Sequence, residues 1–302
     1  MKMQLITRAT GAPLNRIDGV QKVTGAAKYA YEYPVEGVTY VFPVQSTIAK
    51  GRIVSIDASA ARALPGVIAV LSHENAPRLA PLDDAELAVF QSDAVVYHGQ
   101  FVAAVVAETS EIARQAASLV AVRYEEQPHD VELRADRADL YAPQRVTGGY
   151  ETDTESGDVE ATLTSAAVSL DQVYTTPPYH NNPLEPHATV AMWSEEGVTL
   201  YDSNQGSHSI RDTVAQAFRL PPERVRVIAP YVGGGFGSKV HPHSHVILTV
   251  MAAQATRRPV KLALTRQQMF ALVGYRTPTI QRIRLGADGD GRLMAIVHDV
   301  VE

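Results

Sequence analysis

The 302-residue sequence predicts an α+β fold. Three patterns carry that expectation. Short strand-like runs alternate with one clear helix between Gly25 and Tyr124. A second mixed unit follows over residues 166–302, after the acidic, glycine-bearing stretch from Gly148 to Asp158. The last of its patterns is a hairpin near the end of the chain.

In chain order, residues 1–19 read as an extended N-terminal segment. Tyr40 to Thr47, Val67 to Leu71 and Phe101 to Val106 are apolar runs of strand length. Ala58 to Leu64 reads as a short helix that Pro65-Gly66 ends. Ser110 to Val120 has helical spacing with Ser110 as its N-cap, and Val120 to Tyr124 returns as a strand. In the second unit, Val168 to Thr175 and Thr189 to Trp193 alternate like half-buried strands, and Val198 to Asp202 is a third. Ser209 to Phe218 is a helix that Leu220-Pro-Pro-Glu223 stops. Arg224 to Ala229 reads as a strand and His245 to Gln254 as a helix. Gln281 to Leu285, the turn Asp288-Gly-Asp-Gly291, and Leu293 to Val300 form the hairpin.

Composition narrows the function. With 45% hydrophobic and 20% charged residues the chain is globular and soluble. A net charge of −6 leaves no basic footprint for nucleic acid. No apolar run approaches the ~18 residues of a membrane span. The first residues lack the apolar core of a secretory signal. There is no cysteine, so cysteine-held iron–sulfur clusters must lie on another polypeptide if electrons pass through them.

The richest local signal is Tyr231-Val-Gly-Gly-Gly-Phe-Gly-Ser-Lys239, set between a strand and a helix. Glycines there let backbone approach a ligand closely and leave amides to hold an anion or an oxo group. The loop is not a P-loop. From Gly233 the second required glycine is Ser238, and Val240 stands where a hydroxyl belongs. It is not a dinucleotide fingerprint either, because Ser238 replaces the last glycine. The plainer reading is a tight turn with no ligand. HPHSH places His241, His243 and His245 at metal-compatible spacing, but Pro242 and the lack of an acidic ligand favour solvated or core histidines.

PYVGGGFGSK resembles the GGGFGGK signature of the molybdenum hydroxylases, the xanthine dehydrogenase and aldehyde oxidoreductase family. Arg16-Ile-Asp-Gly19 with Lys22 to Tyr29, the stretch Leu64-Pro-Gly-Val-Ile-Ala-Val70, then Glu185-Pro-His-Ala-Thr-Val-Ala-Met-Trp193 and Ser203-Asn-Gln205, follow in that family's order. The likeness covers nearly the whole chain and runs nearest to bacterial, periplasmic-type aldehyde oxidoreductases whose molybdopterin-binding large subunit is a separate polypeptide. It implies an a/b hammerhead domain over 20–130, a linker over 131–165, and the first molybdenum-cofactor-binding domain over 166–302, which is truncated against the family's length.

The resemblance implies aldehyde oxidation to carboxylic acids with water as oxygen source, in a multi-subunit complex. The cofactor is molybdopterin, as the cytosine dinucleotide, carrying molybdenum, with no metal ligand from the protein. Iron–sulfur clusters and FAD reside in an iron–sulfur subunit and an FAD subunit. The other partners implied are the remaining half of the molybdenum subunit and a small-molecule aldehyde. The alternative is a half-subunit that is inactive by itself. The protein is expected in the cytoplasm, or in the periplasm if exported with a signal-bearing partner.

Residue by residue, the match assigns Gln205, Gly234, Gly235, Phe236 and Gly237 to the cofactor, with Phe236 and Val240 lining the substrate pocket. Gln205 can donate its amide to an oxo ligand without adding charge; otherwise it is a surface-loop side chain. Phe236 is a pocket wall, or else an anchor of the turn in the core. Val240 replaces a glutamate of purine-oxidising relatives, which favours apolar aldehydes. Glu185 and His187 form a polar link behind the loop. Lys239 pairs with a phosphate, caps a helix or pairs with a carboxylate. No catalytic residue is assigned, because the family's glutamate lies beyond Glu302.

Overall fold

A computed structural model describes residues 11, 13–82, 84–146 and 149–302. Most of the expected N-terminal segment, and Gly148 of the acidic stretch, fall outside them. The helices are α1 (Gly19–Val23), α2 (Ser59–Ala63), α3 (Ser110–Ala117), α4 (Val159–Ser165), α5 (Ser207–Phe218), α6 (Ser244–Thr256) and α7 (Arg266–Leu272). The strands are β1 (Thr39–Gln45), β2 (Gly51–Asp57), β3 (Val67–Ser72), β4 (Ala94–Val95), β5 (Phe101–Ala107), β6 (Ala121–Glu126), β7 (Val168–Thr176), β8 (Ala188–Trp193), β9 (Val198–Asp202), β10 (Val225–Ile228), β11 (Val260–Ala263), β12 (Thr279–Ala287) and β13 (Leu293–Val301). The mixture is α+β, as the sequence predicts. Helix starts are shifted: α5 begins at Ser207 rather than Ser209, and the side chain of Thr109, not Ser110, caps α3 by accepting from the Ile112 amide.

Chain contacts define two units. The first joins residues 1–127 to 182–273; the second joins 128–181 to 274–302. In the first, seven strands form one mixed sheet in the order β10-β9-β8-β11-β1-β5-β3. The parallel pair β1–β11 joins its two halves, with Thr39 against Val260. A small sheet, β4-β2-β6, lies beside it in sequence. Every residue of β5 is buried, which fits its unbroken apolar run. Helix α6 is buried from Ser244 to Ala253, because apolar side chains surround it on all sides.

The second unit is the antiparallel sheet β13-β12-β7 with α4. Its register separates two faces. One carries Gly286, which Leu163 and Ala166 of the α4 region approach, and the ion pairs Arg282–Asp171 and Arg284–Glu160. The other aligns Leu170, Leu285 and Ile296, then Tyr174, Gln281 and Val300. On that face Val168, Leu170, Tyr174, Ile296 and Val300 are exposed.

Leu200 of β9 is wholly buried in the main core. Leu200→Ala should cost about 2–5 kcal/mol in urea unfolding. Val54→Thr, at an exposed position of β2, should stay within about 0.5 kcal/mol. Equal costs would mean that the seven-stranded sheet is not the cooperative core.

Candidate functional site

Strands β9 and β10 are parallel neighbours. Their C-terminal ends therefore emerge at the same edge, where open α/β sheets hold ligands. The segment Ser203 to Gly206 leaves β9, and the glycine loop leaves β10. They meet there. The Gln205 amide donates to the Lys239 carbonyl at 2.7 Å, and the Gly237 amide donates to Gln205 Oε1 at 3.2 Å. Since the oxygen of Gln205 is engaged, its NH2 is the end left to donate.

Asn204 takes a different part. It is buried, donates to the Asp202 carboxylate at 2.9 Å, and accepts from the Gly206 amide and the Ser207 hydroxyl. It shapes the turn that presents Gln205. Asp202 is buried too, and Thr189 donates to it. Desolvation pushes its carboxyl up to about 6, against the pull of the Thr189 and Asn204 hydrogen bonds.

The loop is held from behind by Glu185. Its Oε2 accepts from the Gly233 amide at 2.7 Å and from Lys239 Nζ at 2.9 Å, and its carbonyl accepts from the same Nζ at 3.0 Å. The Lys239 side chain is buried. Of the three readings of Lys239, the structure selects the carboxylate partner; the amine is turned into the protein and is not free for a phosphate. Desolvation lowers the ammonium's pKa, and Glu185 opposes the shift. Gly233 has to be glycine, because a Cβ there would stand 2.5 Å from the Glu185 Cβ. Arg266 steadies the approach to Glu185 by donating to the carbonyls of Pro183 and Leu184.

Inside the loop, Ser238 closes a turn. Its amide and hydroxyl both donate to the Gly235 carbonyl, at 3.0 and 2.8 Å. Phe236 sits at φ +54°, a left-handed conformation that costs a side chain about 1–2 kcal/mol. Its exposure of 66% excludes the core-anchor reading. Gly235 is buried, and a Cβ there would meet Gln205 Oε1 at 2.2 Å. A side chain at 235 would first displace Gln205. The amides of Gly234, Gly235 and Phe236 meet no acceptor among the described residues. Val240 follows the loop, 37% exposed.

Three histidines lie beneath. His187 and His243 both place Nε2 3.0 Å from the Ser238 carbonyl, and His245 stands edge-on to His187. Burial lowers His187 to about 3 and His245 well below the usual histidine range. His245 Nδ1 is buried with no partner, so this is not a fully satisfied core histidine. His241 is exposed. Among the described residues no group of three or more His, Cys, Asp or Glu side chains is placed to hold a metal ion. Asp202, Asn204, Ser238 and Glu86, the carboxylate that faces His243, were not legible as site residues. Ser238 left a trace as the residue that breaks the glycine pattern, and Asn204 as the middle of the Ser203-Asn-Gln205 motif.

The chain matches the description "Aldehyde oxidase and xanthine dehydrogenase, a/b hammerhead domain" over residues 24–128 and "Molybdopterin cofactor-binding domain" over residues 141–302. It belongs to the aldehyde oxidase and xanthine dehydrogenase family of molybdenum hydroxylases. It is 39% identical to the aldehyde oxidoreductase molybdenum-binding subunit PaoC of Escherichia coli (strain K12), over 97% of this chain and 40% of that one. It is 31% identical to the nicotinate dehydrogenase large molybdopterin subunit of Eubacterium barkeri, over 93% of this chain and 67% of the relative. The CO dehydrogenase of Oligotropha carboxidovorans superposes with a TM-score of 0.80 at 29% identity, over 97% of this chain and 39% of that one. The chain thus spans about two fifths of the PaoC relative's length. No helix among the described residues is long and apolar enough to cross a membrane.

The buried histidines make this family member's site sensitive to acid. His187 is held neutral when folded and takes up a proton near 6.5 when unfolded. Its contribution to stability is therefore present above about pH 6.5 and is lost as pH falls toward the folded value of about 3. Urea unfolding at pH 7 and pH 5 should show a decline that His187→Gln makes shallower. An unchanged slope would show that His187 is not buried as a neutral ring.

Proposed function

We propose that this chain supplies one part of a molybdenum subunit that oxidises aldehydes to carboxylic acids, with water as the oxygen source. The observation that carries the reading is the Gln205 lock. Gly237 engages the amide oxygen, and the NH2 is left to donate beside a loop with unengaged backbone amides. Such fixed, uncharged donors suit the oxygen ligands of a metal that is held through its own pterin. When bound, the molybdenum cofactor supplies the centre that accepts the two electrons of the oxidation.

The residues proposed to face the cofactor are Gln205, Gly234, Gly235, Phe236 and Gly237. Phe236, exposed in a strained conformation, walls the substrate pocket with Val240. Val240 cannot hydrogen-bond a purine, so the pocket selects apolar aldehydes. The cofactor in this reading is the cytosine dinucleotide form. Iron–sulfur and FAD subunits carry the electrons onward, in keeping with a chain that has no cysteine. None of residues 1–302 is proposed as the catalytic glutamate. The domain order proposed is a hammerhead over 20–130, a linker over 131–165 and a cofactor-binding domain over 166–302.

A second reading has specific support. The β7-β12-β13 sheet exposes a run of apolar side chains on one face, a surface that usually marks an interface. Further polypeptide, of the kind that makes up the rest of PaoC's length, would cover it. By itself, then, the chain is a half-subunit that is inactive without that part.

Two measurements test these readings. Residues 1–302, expressed in a host that makes the pterin dinucleotide, should retain far less than one molybdenum per chain; stoichiometric metal would sink the half-subunit reading. In the complete enzyme, Gln205→Ala should lower kcat/KM for an aromatic aldehyde by about 100-fold, and wild type should prefer benzaldehyde to hypoxanthine. Near-wild-type turnover in the variant, or the opposite preference, would overturn the assignment.

A further inference from the structure

The His243 ring lies between two acceptors. Its Nε2 is 3.0 Å from the Ser238 carbonyl, and its Nδ1 is 3.1 Å from both oxygens of Glu86. A carbonyl can only accept, so Nε2 must carry a hydrogen. Glu86 is already an acceptor: its Oε1 takes the Ser244 amide at 2.9 Å, and the Ser244 hydroxyl lies 3.1 Å from both that oxygen and the Glu86 carbonyl. A carboxylate engaged in this way requires a hydrogen on Nδ1 as well. No neutral tautomer serves both sides.

We propose that His243 is a positioning residue that works as an imidazolium, pinning the Ser238 end of the glycine loop to the turn at Ala85–Leu87. Its role toward a cofactor rests on the reading above; its charge and its hold on the loop do not. The link is mechanical. Ser238 closes the Gly235 turn through its amide and hydroxyl, and that turn presents Phe236 and Gly237. The same Glu86 carboxylate caps the start of α6 by accepting from the Ser244 amide. One charged ring therefore joins the turn, the helix start and the loop.

The neighbouring charges are consistent with this. On the turn side, Glu86 and Asp84 face the ring. Just ahead of β8 stands His187, edge-on at 5.8 Å, and on α6 stands His245, stacked at 6.5 Å; burial keeps both neutral. Lys239, from the loop, has its charge on Glu185. Burial pulls the His243 pKa down, but the Glu86 hydrogen bond and charge, with the Ser238 carbonyl and Asp84, raise it on balance. A raised value means that the clamp holds below the ordinary histidine range and through it, and loosens as pH rises beyond the raised value.

The test uses the 302-residue chain without cofactor, so failure of the aldehyde reading leaves it intact. Side-chain nitrogen NMR at pH 7 should show both ring nitrogens of His243 protonated, with His187 and His245 neutral. Hydrogen exchange of the Gly233, Gly237, Ser238 and Val240 amides should then be compared at pH 6 and pH 9, corrected for intrinsic rates. Wild-type protection should fall by about tenfold on the alkaline side, because a charge-assisted bond is lost. His243→Gln keeps a neutral donor for Ser238, and Glu86→Gln removes the counter-charge; both should flatten the pH profile. A neutral His243 ring at pH 7, or a wild-type pH profile retained in Glu86→Gln, would overturn the proposal. If His243→Gln fails to fold, the wild-type spectrum and Glu86→Gln decide the matter by themselves.

Discussion

The buried pair of Glu185 and Lys239 is the constraint around which the site is built. A lysine with its side chain withdrawn from water is tolerable only with a close carboxylate and further acceptors. Glu185 supplies both, one through its side chain and one through its carbonyl. The carboxylate also takes the Gly233 amide, so one ion pair fixes the first glycine of the loop and the residue that ends it. Five residues between them are then confined to an arc whose length is set. Removing either partner would leave a buried charge without compensation, which costs far more than the net worth of the pair.

The sheet makes that arc useful. Parallel pairing of β9 and β10 brings two chain segments, some thirty residues apart in sequence, out at one edge. Asp202 and Asn204 shape the turn after β9, and the turn delivers Gln205 to the loop. The Gln205 backbone bonds Lys239 and its side chain bonds Gly237, so its amide is oriented before any ligand arrives. Preorganised donors of this kind cost no rearrangement when charge develops nearby.

Behind the loop lies a layer of largely buried polar groups. His187 and His243 converge on one carbonyl, that of Ser238. A serine at this position, where the family signature has glycine, adds a hydroxyl to the Gly235 carbonyl and so stiffens the turn. Loop stiffness here comes from buried hydrogen bonds rather than from the glycines, whose own contribution is freedom of approach.

By itself the sequence determined the fold class, many of the strands and helices, the family and the identity of the loop; the short β2, β4 and β11 and the helices α1, α4 and α7 went unread. These depend on local spacing and on contiguous motifs, which a linear reading preserves. The strand ends of β9 and β10, the hairpin β12–β13 and the apolar α6 were all legible for that reason. What only the tertiary structure decided was pairing across the chain. Glu86 stands 157 residues from His243, and Glu185 stands 54 from Lys239; no periodicity records such distances. The fate of Lys239, the division of labour between Asn204 and Gln205, and the exposure of Phe236 depend on which groups burial forces together. Burial is a property of the packed chain: a charge withdrawn from water must take the nearest partner the fold presents, wherever in the sequence that partner lies.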